Sequence, residues 1–137
     1  MEAVDTNVLI RILIDDPGES QQVQRARNFA KKAKRLFVPQ IVQVELVWVL
    51  EKAYSFKRVA IVPILEHLGE NEAYRLQNLE EFLEALHQYR NTHSNFSDCL
   101  ILAEAEKLRL TLYTFDKKFS RLSGVKIIED TNFEARV

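Results

Sequence analysis

Four acidic residues are the positions of this chain whose types and settings could do chemistry: Asp5, Glu45, Asp98 and Asp116. Glu45 carries the only charge in residues 41–50, which are apolar apart from Gln43 and Glu45 itself. A helix built from this run is apolar on nearly every side, so we expect it to lie in the core. An uncompensated carboxylate there costs on the order of several kcal/mol, so the sequence predicts a compensating partner for Glu45.

The other three acids adjoin apolar runs, and we expect all four to converge on a bound divalent metal. Two carboxylates about 4 Å apart repel by about 4 kcal/mol at an effective dielectric constant near 20, so four of them can gather only if cations join them or some become protonated. Hard oxygen ligands select Mg²⁺ or Mn²⁺. Such ions can activate water and stabilise the leaving oxygen when a phosphodiester is displaced in line. The sequence therefore predicts a metal-dependent nuclease.

Alternating strands and helices should position these acids. The pattern predicts strands over 2–4, 36–38, 72–76, 110–114 and 125–128. It predicts helices over 8–13, 20–34, 59–68 and 79–89, one that contains Glu45 and ends at about 54, and one that runs from a cap at 95–97 to 107. We expect Gly69 and Asn71 to end the helix over 59–68. Strands separated by helices are typical of an α/β domain with a central parallel sheet. Asp5 and Asp116 each follow a predicted strand, at the sheet edge where ligands bind.

Composition limits the class of protein. The 137 residues are 47% hydrophobic, which predicts one domain over 1–137. A net charge of −1 gives no global field that would attract nucleic acid or an anionic membrane. The single cysteine, Cys99, is interpreted as an inert buried thiol in a reducing cytosol. We see no export signal and no apolar run of membrane-spanning length, and we expect a cytoplasmic protein.

The order of the acidic motifs resembles that of a known family. The motifs are Asp5-Thr6-Asn7-Val8-Leu9, Glu45 in its apolar run, Asp98-Cys99-Leu100-Ile101 and Thr114-Phe115-Asp116-Lys117-Lys118-Phe119. Together they resemble PIN-domain ribonucleases, in particular the VapC-type toxins of toxin–antitoxin pairs. The resemblance extends from Glu2 to about Ile128 and implies a three-layer α/β/α fold.

The resemblance also implies an activity and its machinery. Asp5, Glu45, Asp98 and Asp116 would bind Mg²⁺ or Mn²⁺, and Thr6, Asn7 and Thr114 would orient them. The implied reaction is cleavage of single-stranded RNA or RNA loops. A homodimer and inhibition by a cognate antitoxin protein are implied as partners.

RNA binding also needs local positive charge. Lys117, Lys118 and Arg121 directly follow Asp116 and are our candidates for contacting phosphates. We interpret Trp48 and Phe56 as core or subunit-contact residues rather than as platforms for stacked bases.

Each acid has an ordinary structural alternative. Asp5 could cap a helix, Asp98 could be a first-turn acid and Asp116 could be a turn residue. Glu45 could pair with a buried arginine such as Arg11 or Arg27. At the level of the whole protein, the domain could be a PIN-like module that binds RNA or protein without cleaving. Phosphoryl transfer through an aspartyl phosphate on Asp5 is a third hypothesis, but it needs a second acid where Asn7 stands.

Overall fold

A computed structural model describes residues 1–129 of the chain. Its strands are β1 (Glu2–Ala3), β2 (Leu36–Val38), β3 (Tyr74–Leu76), β4 (Leu112–Thr114) and β5 (Val125–Ile127). Its α-helices are α1 (Thr6–Leu13), α2 (Ser20–Ala33), α3 (Gln40–Lys52), α4 (Arg58–Glu70), α5 (Leu79–Asn91) and α6 (Phe96–Lys107). Short 3-10 helices occupy Pro17–Glu19 and Phe119–Arg121. Every strand and helix predicted from the sequence is present, with ends that differ by a few residues.

All strand pairs are parallel, which confirms the predicted α/β class and fits three α/β/α layers. Strands β1, β2 and β3 hydrogen bond in that order, and β4 pairs with β5. Asp5 and Asp116 each lie two residues beyond the carboxyl end of a strand, β1 and β4 respectively. Because those strands are not hydrogen bonded to each other, strand pairing alone does not bring these two acids together.

Helix α3 corrects the expectation that Glu45 lies in the core. The helix buries one face, formed by Val42, Gln43, Leu46, Val47 and Leu50. Glu45 lies on the opposite, exposed face with Ile41 and Trp48. The spacing of these three residues, at i, i+4 and i+7, keeps them on one side of a helix. The sequence was misleading because apolar residues occur on both faces, so composition could not distinguish the buried face from the exposed one.

Helix α4 continues through Gly69 to Glu70 and has Asn71 as its C-cap, so Asn71 ends the helix as expected and the expectation for Gly69 was wrong. Gly69 lies where α4 packs against α5. A Cβ atom at this position would lie 3.2 Å from Leu83 Cδ2 and 3.5 Å from Phe82 Cε2. The glycine therefore permits close approach of two helices rather than a change of direction.

Other expectations have mixed outcomes. Cys99 is buried, as predicted. No helix within residues 1–129 is long and apolar enough to cross a membrane. The prediction of a single domain over 1–137 stays a prediction, and residues 130–137 lie outside the described part of the chain.

Helices α5 and α6 are joined by an ion pair with one buried member. Glu81 is only 5% exposed, and its Oε1 lies 2.7 Å from Lys107 Nζ. Its other oxygen, Oε2, is buried without a hydrogen-bond partner in residues 1–129. The hydrogen bond from Lys107 lowers the pKa of Glu81 below its ordinary value of 4.5, although burial opposes that shift. The buried carboxylate therefore depends on a single cation.

We predict that Lys107→Met lowers the melting temperature at pH 7 more than Glu81→Met does. The first change leaves a buried carboxylate unpaired, whereas the second removes the charge that needs a partner. The folded-state pKa of Glu81 is lowered, so the pair stabilises the fold fully above about pH 4.5. This stabilisation is lost as the pH falls below 4.5 and through the lowered pKa of Glu81 in the folded protein. Thermal denaturation at pH 7 and pH 3 measures both effects.

Glu80→Gln is the matched control, since Glu80 is exposed and lies 3.8 Å from the same ammonium group. It should leave the melting temperature unchanged. Equal losses for Lys107→Met and Glu81→Met would contradict this account of the pair.

Candidate active site

Asp5, Thr6 and Glu45 form the first part of the candidate site. Asp5 is the N-cap of α1, and its Oδ1 accepts a hydrogen bond from the Val8 N–H at 2.9 Å. The capping alternative for Asp5 is therefore correct, but it uses only one carboxylate oxygen. The next residue, Thr6, donates from its Oγ1 to Glu45 Oε1 at 2.9 Å. The start of α1 thus brings Asp5 next to a residue that holds Glu45.

The arginine alternative for Glu45 is wrong. Arg11 donates to Gln22, Asp16 and Tyr54. Arg27 donates to the Ile12 carbonyl and pairs with Asp15. Both guanidinium groups stabilise the junction of α1 and α2, and Glu45 is oriented by a hydroxyl group instead.

Asp98 and Asp116 form the second part of the site. Both line one cavity of about 430 Å³, with Asp98 in the first turn of α6. Asp98 is half-buried and makes no hydrogen bond to another residue in 1–129. Burial raises the pKa of Asp98, and the nearby charge of Asp116 raises it further. The ionised form of Asp98 is therefore disfavoured by its surroundings.

Asp116 is fixed by a tight turn after β4. Its Oδ1 accepts hydrogen bonds from the backbone N–H groups of Lys118 at 2.9 Å and Phe119 at 3.2 Å. Its own N–H donates to Thr114 Oγ1 at 3.0 Å. The turn alternative for Asp116 is thus also correct. As with Asp5, the structural contact uses one oxygen and holds the carboxylate in place.

Helix α3, which carries Glu45, packs against helix α6, which carries Asp98. Val44, next to Glu45 in the chain, and Ser97, next to Asp98, line the same two cavities between these helices. Helix α3 also packs against α1, which begins after Asp5. The acids from distant stretches of sequence are therefore carried by elements that contact one another.

The remaining candidate residues divide between the cavities. Lys118 and Arg121 line the cavity that holds Asp98 and Asp116, whereas Lys117 does not. Asn7 lines a different cavity, of about 560 Å³, beside Asp5. The Thr6 hydroxyl donates to the Glu45 carboxylate, and the Thr114 hydroxyl oxygen accepts from the backbone N–H of Asp116. The Asn7 side chain makes no hydrogen bond within residues 1–129.

Sequence reasoning missed several residues that line these cavities. The polar segment 91–95, which connects α5 to α6, forms one wall around Asp98 and Asp116, and it includes His93. Arg25 of α2 lines the cavity beside Asp5. The run of polar residues just before Asp98 was the available signal for the first group. No sequence pattern links Arg25 to Asp5, because the packing of α2 against α1 brings them together.

The donor chemistry of the acids fits a hard divalent cation. Asp98 is half-buried beside a like charge and has no donor from residues 1–129, and a cation would relieve both penalties. Asp5 and Asp116 each have one oxygen beyond the one that accepts backbone N–H groups. In the described residues, however, no group of three or more His, Cys, Asp or Glu side chains is arranged to hold a metal ion. Binding of metal by all four acids therefore stays a prediction.

Comparison with known proteins agrees with this fold. Residues 3–125 match the PIN domain family, and the chain belongs to that family. The chain is also 30% identical over 133 residues to a VapC ribonuclease from Aquifex aeolicus (strain VF5). That alignment covers 93% of this chain and 96% of the relative. The resemblance inferred from the acidic motifs is confirmed.

We predict that Asp98→Asn raises the melting temperature by about 1–2 °C in EDTA at pH 7. The raised pKa of Asp98 means that its charge opposes folding above that pKa, and the amide removes the charge. The difference should disappear as the pH falls through the raised pKa, because the wild-type carboxyl is then protonated as well. Partial exposure of Asp98 keeps the effect small.

Thermal denaturation of Glu72→Gln provides the control, since Glu72 is an exposed acid away from the cavity. It should behave as wild type. A lower melting temperature for Asp98→Asn at pH 7 in EDTA would contradict the electrostatic interpretation of the acid pair.

Proposed function

We propose that this protein is a metal-dependent endoribonuclease that cleaves single-stranded RNA or RNA loops and acts as the toxin of a toxin–antitoxin pair. The observation that carries the proposal is the cavity in which Asp98 and Asp116 lie with Lys118 and Arg121. In this cavity, two carboxylates suited to binding a cation lie on the same surface as two basic side chains suited to binding phosphates. Membership of the PIN domain family and similarity to a VapC ribonuclease support the same activity.

We propose that Asp5, Glu45, Asp98 and Asp116 hold Mg²⁺ or Mn²⁺. When bound, such an ion supplies activated water and stabilises the leaving oxygen of a phosphodiester. The protein's own residues position these ligands. Thr6 fixes the Glu45 carboxylate, and the turn from Thr114 to Phe119 fixes Asp116. Asn7, beside Asp5 in its cavity, is the least supported of the three orienting residues.

Lys118 and Arg121 are proposed to bind the RNA backbone on either side of the bond that is cleaved. The net charge of the chain is only −1, so a local pair of cations can attract phosphates without an overall positive field. Lys117 does not line the cavity, so we propose that any contact it makes with RNA lies outside the cavity.

The family also guides our proposals about partners and location. We propose a cognate antitoxin protein, a homodimer and a cytoplasmic location, as expected for a VapC-type toxin. These proposals rest on the resemblance and on the VapC ribonuclease relative.

Replacing the acids should abolish RNA cleavage while leaving the fold intact. We expect Asp5→Asn, Glu45→Gln, Asp98→Asn and Asp116→Asn each to reduce cleavage of a fluorescent single-stranded RNA by more than about a hundredfold. Each amide retains one oxygen, so the caps made by Asp5 and Asp116 persist. Thr6→Val should cost about ten- to a hundredfold, as expected when the partner that orients a ligand is lost. Circular dichroism checks folding.

Glu104→Gln is the control for these variants, because Glu104 is an exposed acid on the same helix as Asp98. It should cleave like wild type. Mn²⁺ should raise the melting temperature of wild type but not of Asp98→Asn, and EDTA should stop cleavage.

Expression of the wild-type protein should arrest growth, whereas expression of the four acid variants should not. Binding of RNA without cleavage in the presence of Mn²⁺ would instead support a non-cleaving module.

Lys118 and Lys117 offer a matched comparison of two adjacent cations. We predict that Lys118→Ala raises KM for RNA several-fold and reduces the dependence of binding on salt by about one phosphate contact. Lys117→Ala should have a clearly smaller effect, because Lys117 lies outside the cavity. Cleavage assays at several salt concentrations measure both. Equal effects of the two variants would contradict the proposal that RNA phosphates bind in the cavity lined by Lys118.

A further inference from the structure

Trp48 is a large aromatic side chain that the packing of the protein leaves exposed. Trp48 is 61% exposed on the outer face of α3, so the expectation of a core residue is wrong, and the alternative of a subunit contact stays a prediction. It lies three residues after Glu45, about one helical turn along the same face. An exposed tryptophan so close to a candidate catalytic acid needs an explanation that the acids themselves do not provide.

Trp48 forms one wall of a cavity of about 230 Å³ between α3 and the start of α6. This is smaller than the pockets that usually hold drug-sized ligands, so it suits a fragment of a larger molecule. Polar groups form the edge of the cavity: the Glu51 carboxylate, the Asn95 amide and the Ser97 hydroxyl. Among residues 1–129, none of these three side chains makes a hydrogen bond to another residue. Their hydrogen-bonding capacity is available to a ligand.

This cavity adjoins the candidate active site through a shared lining residue. Asn95 lines both the cavity beside Trp48 and the cavity that holds Asp98, Asp116, Lys118 and Arg121. Ser97 directly precedes Asp98 in the first turn of α6. A chain whose phosphate lies at the acids could therefore place an adjoining group against Trp48.

We propose that the Trp48 cavity binds an unpaired base of the RNA substrate, next to the phosphate that is cleaved. The inference rests on the proposed function. Unstacked bases of single-stranded RNA bind by stacking on aromatic side chains and by hydrogen bonds at their edges. Trp48 supplies the aromatic face, and Glu51, Asn95 and Ser97 supply the edge contacts. An ionised carboxylate accepts hydrogen bonds and donates none, so Glu51 favours the three bases with an exocyclic amino group, adenine, cytosine and guanine, over uracil.

The requirement for an unpaired base gives the subsite a role in substrate selection. A base inside a duplex is stacked on its neighbours and cannot reach the tryptophan face. Single-stranded RNA and duplex RNA share their phosphates, so both can interact with Lys118 and Arg121. The subsite therefore discriminates between RNA structures that the cations treat alike.

Trp48 is the only tryptophan in the sequence, so its fluorescence reports directly on the proposed subsite. The probes are RNA octamers of adenosine, cytidine or uridine in EDTA, with a duplex of the same length for comparison. We expect quenching by the adenosine and cytidine octamers, weaker quenching by the uridine octamer and least by the duplex. Glu51→Gln should reduce the preference for adenosine and cytidine over uridine.

Affinity measured by anisotropy of labelled octamers extends the test to variants without tryptophan. Trp48→Ala should bind the adenosine octamer roughly ten- to a hundredfold more weakly, and Trp48→Phe should recover most of that loss. Ile41→Ala is the matched control, because Ile41 is 66% exposed on the same face of α3 but on the other side of Glu45. It should bind like wild type. In cleavage assays the Trp48→Ala effect should fall on KM.

The outcomes separate the subsite from the proposed function. If wild type neither binds nor cleaves RNA, both fail. If wild type cleaves and Asp98→Asn does not, while Trp48→Ala binds and cleaves as wild type does, only the subsite is overturned. Tryptophan fluorescence that changes with protein concentration but not with RNA would identify Trp48 as a subunit contact and would also overturn the subsite.

Discussion

Repulsion between Asp98 and Asp116 is the constraint around which this site is arranged. The two carboxylates line one cavity, and their mutual charge, added to burial, disfavours the ionised form of Asp98. The backbone offsets part of that cost. Two N–H groups bond to Asp116 Oδ1, and Asp98 lies in the first turn of α6, where the helix dipole favours an anion. The fold thus holds charges that oppose its own stability, as expected where function requires them.

Much of this architecture could be predicted from local sequence. The strand and helix order follows from hydrophobic periodicity and from caps such as Asp5, whose geometry needs only its own neighbours. The placement of Asp5 and Asp116 after strands follows from the same pattern. The order of the four acidic motifs along the chain is sufficient to indicate the PIN domain family. These features depend on short-range information.

Glu45 shows where such reasoning fails. Its apolar surroundings indicated a buried carboxylate, but α3 has apolar residues on both faces, and Glu45 lies on the exposed one. The candidate residue was chosen for an incorrect reason. What supports it is the hydrogen bond from Thr6, a residue 39 positions earlier. Tertiary packing decides which face of a uniformly apolar helix is covered, so the exposure of Trp48 could not be predicted either. Tertiary packing also places the segment 91–95 beside the acids.

Gly69 has a consequence that extends beyond its own packing. The missing Cβ leaves room for the Leu83 and Phe82 side chains of α5 against α4. Helix α5 ends at Asn91, where the segment that lines the acidic cavity begins. A side chain at position 69 would meet these two residues first, so the helix that leads into the acidic cavity is packed against a position that bears no functional group.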